Sequence, residues 1–161
     1  MEIICDSREQ WTRADSKDTH ISGWFDRNGI RYTVRKLDVG DYMLSSGRIA
    51  VDRKQSLDEL ATNLMNRSDS ARFWREIRRA YETGIRLVVL CEHGNGIRSI
   101  HDVPQWRSKH SPVTGRALVD EMVRCEMAYG VTWLFCEKDE TARRIAEILM
   151  EGSDNDECRT G

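Results

Sequence analysis

The stretch Gly40-Asp41-Tyr42-Met43-Leu44-Ser45-Ser46-Gly47-Arg48-Ile49-Ala50-Val51-Asp52-Arg53-Lys54 decides the fold. Two strand-like runs, Tyr42 to Ser45 and Arg48 to Lys54, flank Ser46-Gly47, a dipeptide suited to a two-residue hairpin turn. Successive side chains of a strand point to opposite faces, so Ile49, Val51 and Arg53 share one face and Ala50, Asp52 and Lys54 the other. With a two-residue turn Ser45 pairs with Arg48, and counting back sets Asp41 opposite Asp52. Opposed side chains have Cβ atoms about 5 Å apart, near enough for two carboxylates to share a hard cation. A three-residue turn would break this register.

Two ionised carboxylates at that distance repel, and the remedies are a raised pKa on one of them or a bound divalent cation. Mg²⁺ prefers oxygen ligands, so Asp41, Asp52 and a backbone carbonyl near Arg53 form a candidate site, with Lys54 placed to serve an attacking water or a charged phosphorane. The competing reading makes Asp41 a turn residue and Asp52 with Lys54 an edge-strand ion pair worth about 0–1 kcal/mol.

Outward from the hairpin, Glu2 to Asp6 reads as a strand, and Ile21, Trp24 and Phe25 as a helical stripe ending at Asn28-Gly29. Ile30 to Leu37 is extended. Ser56-x-x-Glu59 is a capping box that opens a helix bearing Leu57, Leu60, Ala61 and Leu64. A second helix presents Phe73, Ile77, Ala80 and Tyr81 on one side and arginines on the other, and stops near Gly84. Strands are predicted over Arg86 to Cys91 and Val131 to Cys136, helices over Leu118 to Tyr129 and around Ala142 to Leu149, and a long polar loop over Gly94 to Gly115. The order predicts an α/β fold, a central mixed sheet with helices on both faces.

At 161 residues the chain has the length of one domain, which buries roughly 70% of the surface it exposes unfolded. Residues 1–150 are read as that domain and 151–161 as an acidic, disordered tail. Met1 to Asp6 lacks the features of a signal peptide, and the longest apolar run, Leu87 to Cys91, is far short of the ~20 residues a membrane span needs. Cys5, Cys91, Cys125, Cys136 and Cys158 show no C-x-x-C spacing and cannot all pair, which reads as buried thiols in a reducing cytoplasm. With 25 Lys and Arg against 27 Asp and Glu, overall charge gives no attraction to nucleic acid. Binding must come from local patches such as 67–86, which holds six arginines against three acids. His20, His93, His101 and His110 lack metal-ligand spacing, and neither a Gly-rich phosphate loop nor a nucleophile elbow is present.

Gly40-Asp41, followed by Val51-Asp52-Arg53-Lys54-x-x-x-Asp58, resembles the G-D…E-R-K-x-x-x-D signature of the XPF-type nuclease domain (excision-repair cross-complementation group four), a branch of the PD-(D/E)xK restriction-endonuclease-like superfamily. Asp6-Ser7-Arg8-Glu9 resembles that family's D-x-R-E opening, Arg72 lies where the family has an arginine, and Leu87 to Glu92 resembles its following strand. The likeness covers roughly Ile3 to Glu92 well and the remainder in pattern. It implies a restriction-endonuclease-like fold and a DNA endonuclease using Mg²⁺ or Mn²⁺. Asp6, Asp41 and Asp52 would be the acidic metal cluster and Lys54 the group serving the nucleophile, with Arg8, Glu9, Arg53 and Asp58 in support. Arg53, on the face opposite Asp52, is expected to anchor the strand through Asp58 or Glu9, and Glu92 reads equally as a strand-end acid bonded to a backbone amide. The sequence departs from the signature at Asp52, where the family has Glu, and at Glu76, where it often has Gln. The helix-hairpin-helix domain of eukaryotic and archaeal members has no counterpart after Met150, which leaves a homodimer or a partner supplying duplex binding as the expected assembly, as in compact bacterial and phage versions.

Branched or flapped DNA is the substrate the resemblance implies, in repair, recombination or phage DNA processing. Arg72 is the favoured DNA contact of its helix, and Trp106, Arg107 and Lys109 combine an aromatic with cations suited to stacking on an unpaired base beside backbone contacts. The plain alternative for Trp106 is a side chain that pins the long loop to the core. Two other functions stay open: a non-catalytic DNA-binding scaffold of the same fold, which the Asp41, Asp52 and Lys54 set argues against, and a sequence-specific restriction endonuclease.

Overall fold

Alternating apolar residues on both sides of Ser46-Gly47 fold as the expected hairpin: β3 (Tyr42–Leu44) and β4 (Ile49–Lys54) pair antiparallel, Tyr42 opposite Val51 and Met43 opposite Ala50. The computed structural model describes residues 2–8, 19–66 and 70–157. Ahead of the hairpin come β1 (Glu2–Asp6), α1 (Thr19–Arg27) and β2 (Arg31–Arg35). After it follow α2 (Leu57–Met65), α3 (Ser70–Glu82), β5 (Arg86–Cys91), α4 (Gly115–Tyr129), β6 (Thr132–Phe135) and α5 (Thr141–Glu157). Among the described residues these strands form one six-stranded sheet in the order β2-β1-β3-β4-β5-β6. β1 is parallel to β2 and antiparallel to β3, while β4, β5 and β6 run parallel, which makes the sheet mixed.

Strand alternation divides the core in two. Ala50, Leu87, Val89 and Trp133 meet the apolar stripes of α2, α3 and α4 on one face. Tyr42, Val51, Val88 and Leu90 meet α1 and α5 on the other. Every residue of β4 is buried, as a strand covered on both faces requires, and this rules out the edge-strand reading of Asp52 and Lys54.

Local signals set the boundaries. Ser56 caps α2, its hydroxyl accepting the Glu59 N–H at 3.1 Å, and Glu59 reaches back to accept the Gln55 N–H at 2.8 Å. Gly130 ends α4 in the left-handed conformation. α4 begins at Gly115, three residues earlier than the apolar stripe indicates, because Thr114 caps it by accepting the Ala117 N–H at 3.3 Å. A Cβ at position 115 would lie 1.9 Å from the Val103 carbonyl oxygen, so glycine allows this helix start to press against the 3-10 turn Val103–Gln105. α5 runs on to Glu157, through much of the segment expected to be a disordered tail. Extending an existing helix adds one hydrogen bond per residue fixed and needs no new nucleus. Residues 158–161, Cys158 among them, lie outside the described residues.

His93 follows β5, and its Nδ1 accepts the Leu57 N–H at the start of α2, at 3.2 Å. Burial holds this imidazole below its ordinary pKa, against the opposing pull of Asp58 and Glu137. The unfolded chain therefore takes up this proton before the folded one does, and the bond contributes stability above about pH 6.5 that is lost as pH falls toward the depressed folded value. Wild type is expected to lose melting temperature faster than His93→Asn between pH 7.5 and 5 on the order of the His titration range. Parallel melting curves across that range would show that the histidine carries no such linkage.

Candidate active site

Because β4 alternates, Asp52 and Lys54 follow Ala50 toward α2 and α3, while Arg53 follows Val51 toward α5. Asp52, Arg53 and Lys54 are only 3%, 5% and 6% exposed. A cleft of about 480 Å³ opens over the first face. Asp52 and Lys54 form its floor with Asp41 beside them, Glu59, Thr62 and Asn63 of α2 line one wall, Arg72, Phe73 and Glu76 of α3 another, and Arg8 a third.

The segment that delivers Asp41 is fastened from several elements. Arg8 donates to the Leu37 carbonyl at 2.9 Å, Arg79 to the Asp38 carbonyl at 2.8 Å, and the Gly40 N–H donates to Glu76 Oε1 at 2.6 Å. Gly40 has φ +68°, and a Cβ there would meet Ala50 Cβ at 2.9 Å, so glycine is required. Asp41 leaves the regular ladder: its N–H donates to the Val51 carbonyl at 2.8 Å, and its carbonyl accepts the Asp6 N–H at 2.7 Å. Its Oδ2 accepts the Arg53 N–H at 2.7 Å, which turns the carboxylate toward β4 as the counted register predicts.

Lys54 Nζ lies 2.5 Å from Asp52 Oδ1 and 4.5 Å from the centre of the Phe73 ring. Burial works against its charge, but Asp52, then Asp41 and Glu59, outweigh that and lift the ammonium above its ordinary pKa. Glu76 moves the same way for a different reason: burial and the nearby Asp52 raise its pKa against the opposing Gly40 N–H, Lys54 and Arg8. Asp52 Oδ1 is fully buried, with the Lys54 ammonium 2.5 Å away, and no donor among the described residues meets it with hydrogen-bond geometry.

On the reverse face, Arg53 meets Glu92 through two bonds, Nε to Oε2 at 3.1 Å and an Nη2 contact to Oε1 at 2.7 Å. The Thr141 hydroxyl donates to Glu92 Oε2 at 2.6 Å, adding the first turn of α5 to the network. This corrects the expected partners of both residues. Arg53 is anchored by Glu92 rather than Asp58, and Glu92 bonds side chains rather than a backbone amide, because parallel pairing of β4 with β5 brings the two strand ends together. Glu9 lies outside the described residues.

Other expected residues are distributed unevenly. Asp6 is fully buried and does not line the cleft. Its Oδ1 accepts the Arg8 N–H at 2.9 Å and its Oδ2 the Arg8 Nε at 2.7 Å, with Arg8 Nη2 closing an ion pair, so Asp6 braces Arg8. Asp58 accepts the Ser108 hydroxyl at 2.5 Å outside the cleft. Arg72 is exposed on the rim as expected. Trp106 is corrected: it is 8% exposed, packed in the core with its ring edge-on to His93, and cannot stack on a base. Arg107 and Lys109 are exposed. Glu76 was not a candidate, yet Phe73 and Ile77 on the buried stripe of α3 put position 76 beside the sheet, which was the available signal.

Among the described residues no group of three His, Cys, Asp or Glu stands close enough to enclose a metal ion. The donors present do fit a hard cation of the Mg²⁺ kind, which takes one or two carboxylates and keeps waters. Cleft acids are all oxygen donors without Cys or His, and buried Asp52 Oδ1 has a hydrogen-bonding position unfilled.

A model of the ERCC4 domain family matches residues 5–148. Among solved structures, XPF from Aeropyrum pernix superposes with a TM-score of 0.68 at 20% identity, over 95% of this chain and 65% of that one. XPF from the same organism in complex with DNA gives 0.66 at 20% identity, over 96% and 66%. This chain therefore spans just under two thirds of the length of those structures, and the likeness establishes the shared fold. No curated protein matches.

Two substitutions probe the electrostatics. Glu92→Ala removes the carboxylate that Arg53 meets in the interior, costing about 3–5 kcal/mol, and melting is expected to fall by on the order of 10 °C. Replacing both partners, Arg53→Met with Glu92→Leu, should recover most of that loss. A folded chain that binds more protons at Glu76 than the unfolded chain loses stability as pH rises through the carboxylate range. Glu76→Gln is thus expected to raise the melting temperature at pH 7 by more than at pH 4, and an advantage independent of pH would contradict the assignment.

Proposed function

We propose that this chain, which belongs to the ERCC4 domain family, is a divalent-metal-dependent DNA endonuclease that cuts branched or flapped DNA at a centre formed by Asp41, Asp52 and Lys54. One observation carries this reading: an ion pair of Asp52 and Lys54 lies almost out of water yet on the floor of an open cleft, with a second aspartate turned toward it. Burying charges is costly, and a domain that only binds DNA gains nothing from it. The likeness to an XPF structure in complex with DNA supports DNA as the partner, and the family resemblance supports branched substrates.

Asp41 and Asp52, with Glu76 alongside, would hold Mg²⁺ or Mn²⁺, which supplies charge to the phosphoryl oxygens and acidifies water. Lys54, whose charged form Asp52 and Asp41 favour, would offer a cation to the developing phosphorane charge and orient or help deprotonate the attacking water. Arg8, braced by Asp6, presents a guanidinium to a phosphate oxygen at the cleft wall. Arg72 neutralises a flanking phosphate from the rim.

The reading extends to repair, recombination or phage DNA processing in the cytoplasm, with a homodimer or a partner contributing duplex binding. Cys5, Cys91, Cys125 and Cys136 are buried and form no disulfide with one another, which accords with a reducing compartment.

Flap, fork, junction and linear duplex substrates, each with Mg²⁺, Mn²⁺ or EDTA, test the proposal. Wild type should cut branched DNA only with metal, and Asp52→Asn should lose at least about a hundredfold in rate while still binding DNA. Equal cleavage by Asp52→Asn would remove the centre, binding without cleavage by wild type would favour a scaffold, and cuts at fixed positions in unbranched plasmid would favour a restriction enzyme. Arg72→Ala should weaken binding across sequences and reduce the salt slope by about 1. An unchanged slope takes Arg72 out of the interface.

A further inference from the structure

The loop after Trp106 is built to project. Trp106 sinks into the core, Arg107 forms an isolated antiparallel bridge with Thr114, and Gly115 N–H donates to the Trp106 carbonyl at 2.9 Å, closing the neck. Beyond it, Lys109, His110, Ser111 and Pro112 are exposed.

The Ser108 hydroxyl organises this tip. It accepts the His110 and Ser111 N–H groups at 3.0 Å each and donates to Asp58 Oδ1 at 2.5 Å, which fills its capacity of one donor and two acceptors. Asp58 is in the first turn of α2, next to Glu59 on the cleft wall, so the loop is latched beside the cleft mouth. Arg107 and Lys109 are exposed and form no ion pair among the described residues. Exposed cations held by a rigid turn and left unneutralised by the protein suit a polyanion.

We infer that residues 107–113 form an arm that grips the phosphate backbone of DNA outside the cleft, with Arg107 and Lys109 as the contacts and the Ser108–Asp58 bond as the latch that positions them. The inference rests on the DNA reading above and adds a second contact surface to it. It replaces base stacking by Trp106 with backbone contact on a Trp106 foundation.

Binding of a labelled flap duplex, measured by fluorescence anisotropy over a salt series in EDTA, tests it. Each B-DNA phosphate contact contributes about 0.9 to the salt slope, so Arg107→Ala with Lys109→Ala should lower the slope by about 2. Ser108→Ala keeps both cations but frees the turn, and should weaken affinity on the order of threefold to tenfold, with Ser108→Thr restoring it. An unchanged slope in the double variant, or wild-type affinity in Ser108→Ala, overturns the arm while leaving the nuclease reading intact. Wild type that binds no DNA at low salt removes both.

Discussion

The site rests on the pairing of Arg53 with Glu92, two charges held almost entirely out of water at the junction of β4 and β5. Such a pair favours the fold only when intact, because removing either partner takes away the opposite charge that offsets burial of the other. It fixes the position of Arg53, and the Arg53 N–H in turn orients the Asp41 carboxylate. Alternation along the strand then obliges Asp52 and Lys54 to face the cleft. An ion pair sealed on one side of the sheet and one facing the cleft on the other are thus consequences of three consecutive residues.

The cleft gathers the acids Asp41, Asp52, Glu59 and Glu76 around Lys54. Asp52, then Asp41 and Glu59, favour the protonated state of Lys54, and Asp52 also acts on Glu76. Burial, then Asp52, raises the pKa of Glu76. On the proposed function, a divalent cation would relieve the same repulsion while supplying the chemistry of phosphodiester hydrolysis.

Much of this was legible in the sequence where the governing interactions are local. Ser46-Gly47 and period-two alternation were enough to pair Tyr42 with Val51 and to separate Asp52 from Arg53, and Ser56 with Glu59 marked the start of α2. Interactions between distant segments were not legible. Arg53 and Glu92 are far apart in sequence and meet only through parallel pairing that no turn specifies, and Thr141 joins them from a third element. Asp6 carries a metal-ligand signature, but its neighbour Arg8 is near enough to occupy it. For Trp106, composition could not distinguish a stacking platform from a core anchor; that depends on whether the 3-10 turn faces inward, and it does.

The central claim is that a hard divalent cation binds between Asp41 and Asp52 with Lys54 beside it. Titrating Mn²⁺ into isotope-labelled protein and following paramagnetic broadening of backbone amide resonances locates such a site without relying on cleavage. The account predicts that Gly40, Asp41 and Asp52 to Lys54 broaden first, and that Asp52→Asn abolishes their response. Broadening confined to other acidic surfaces, or the same response in Asp52→Asn, would contradict it.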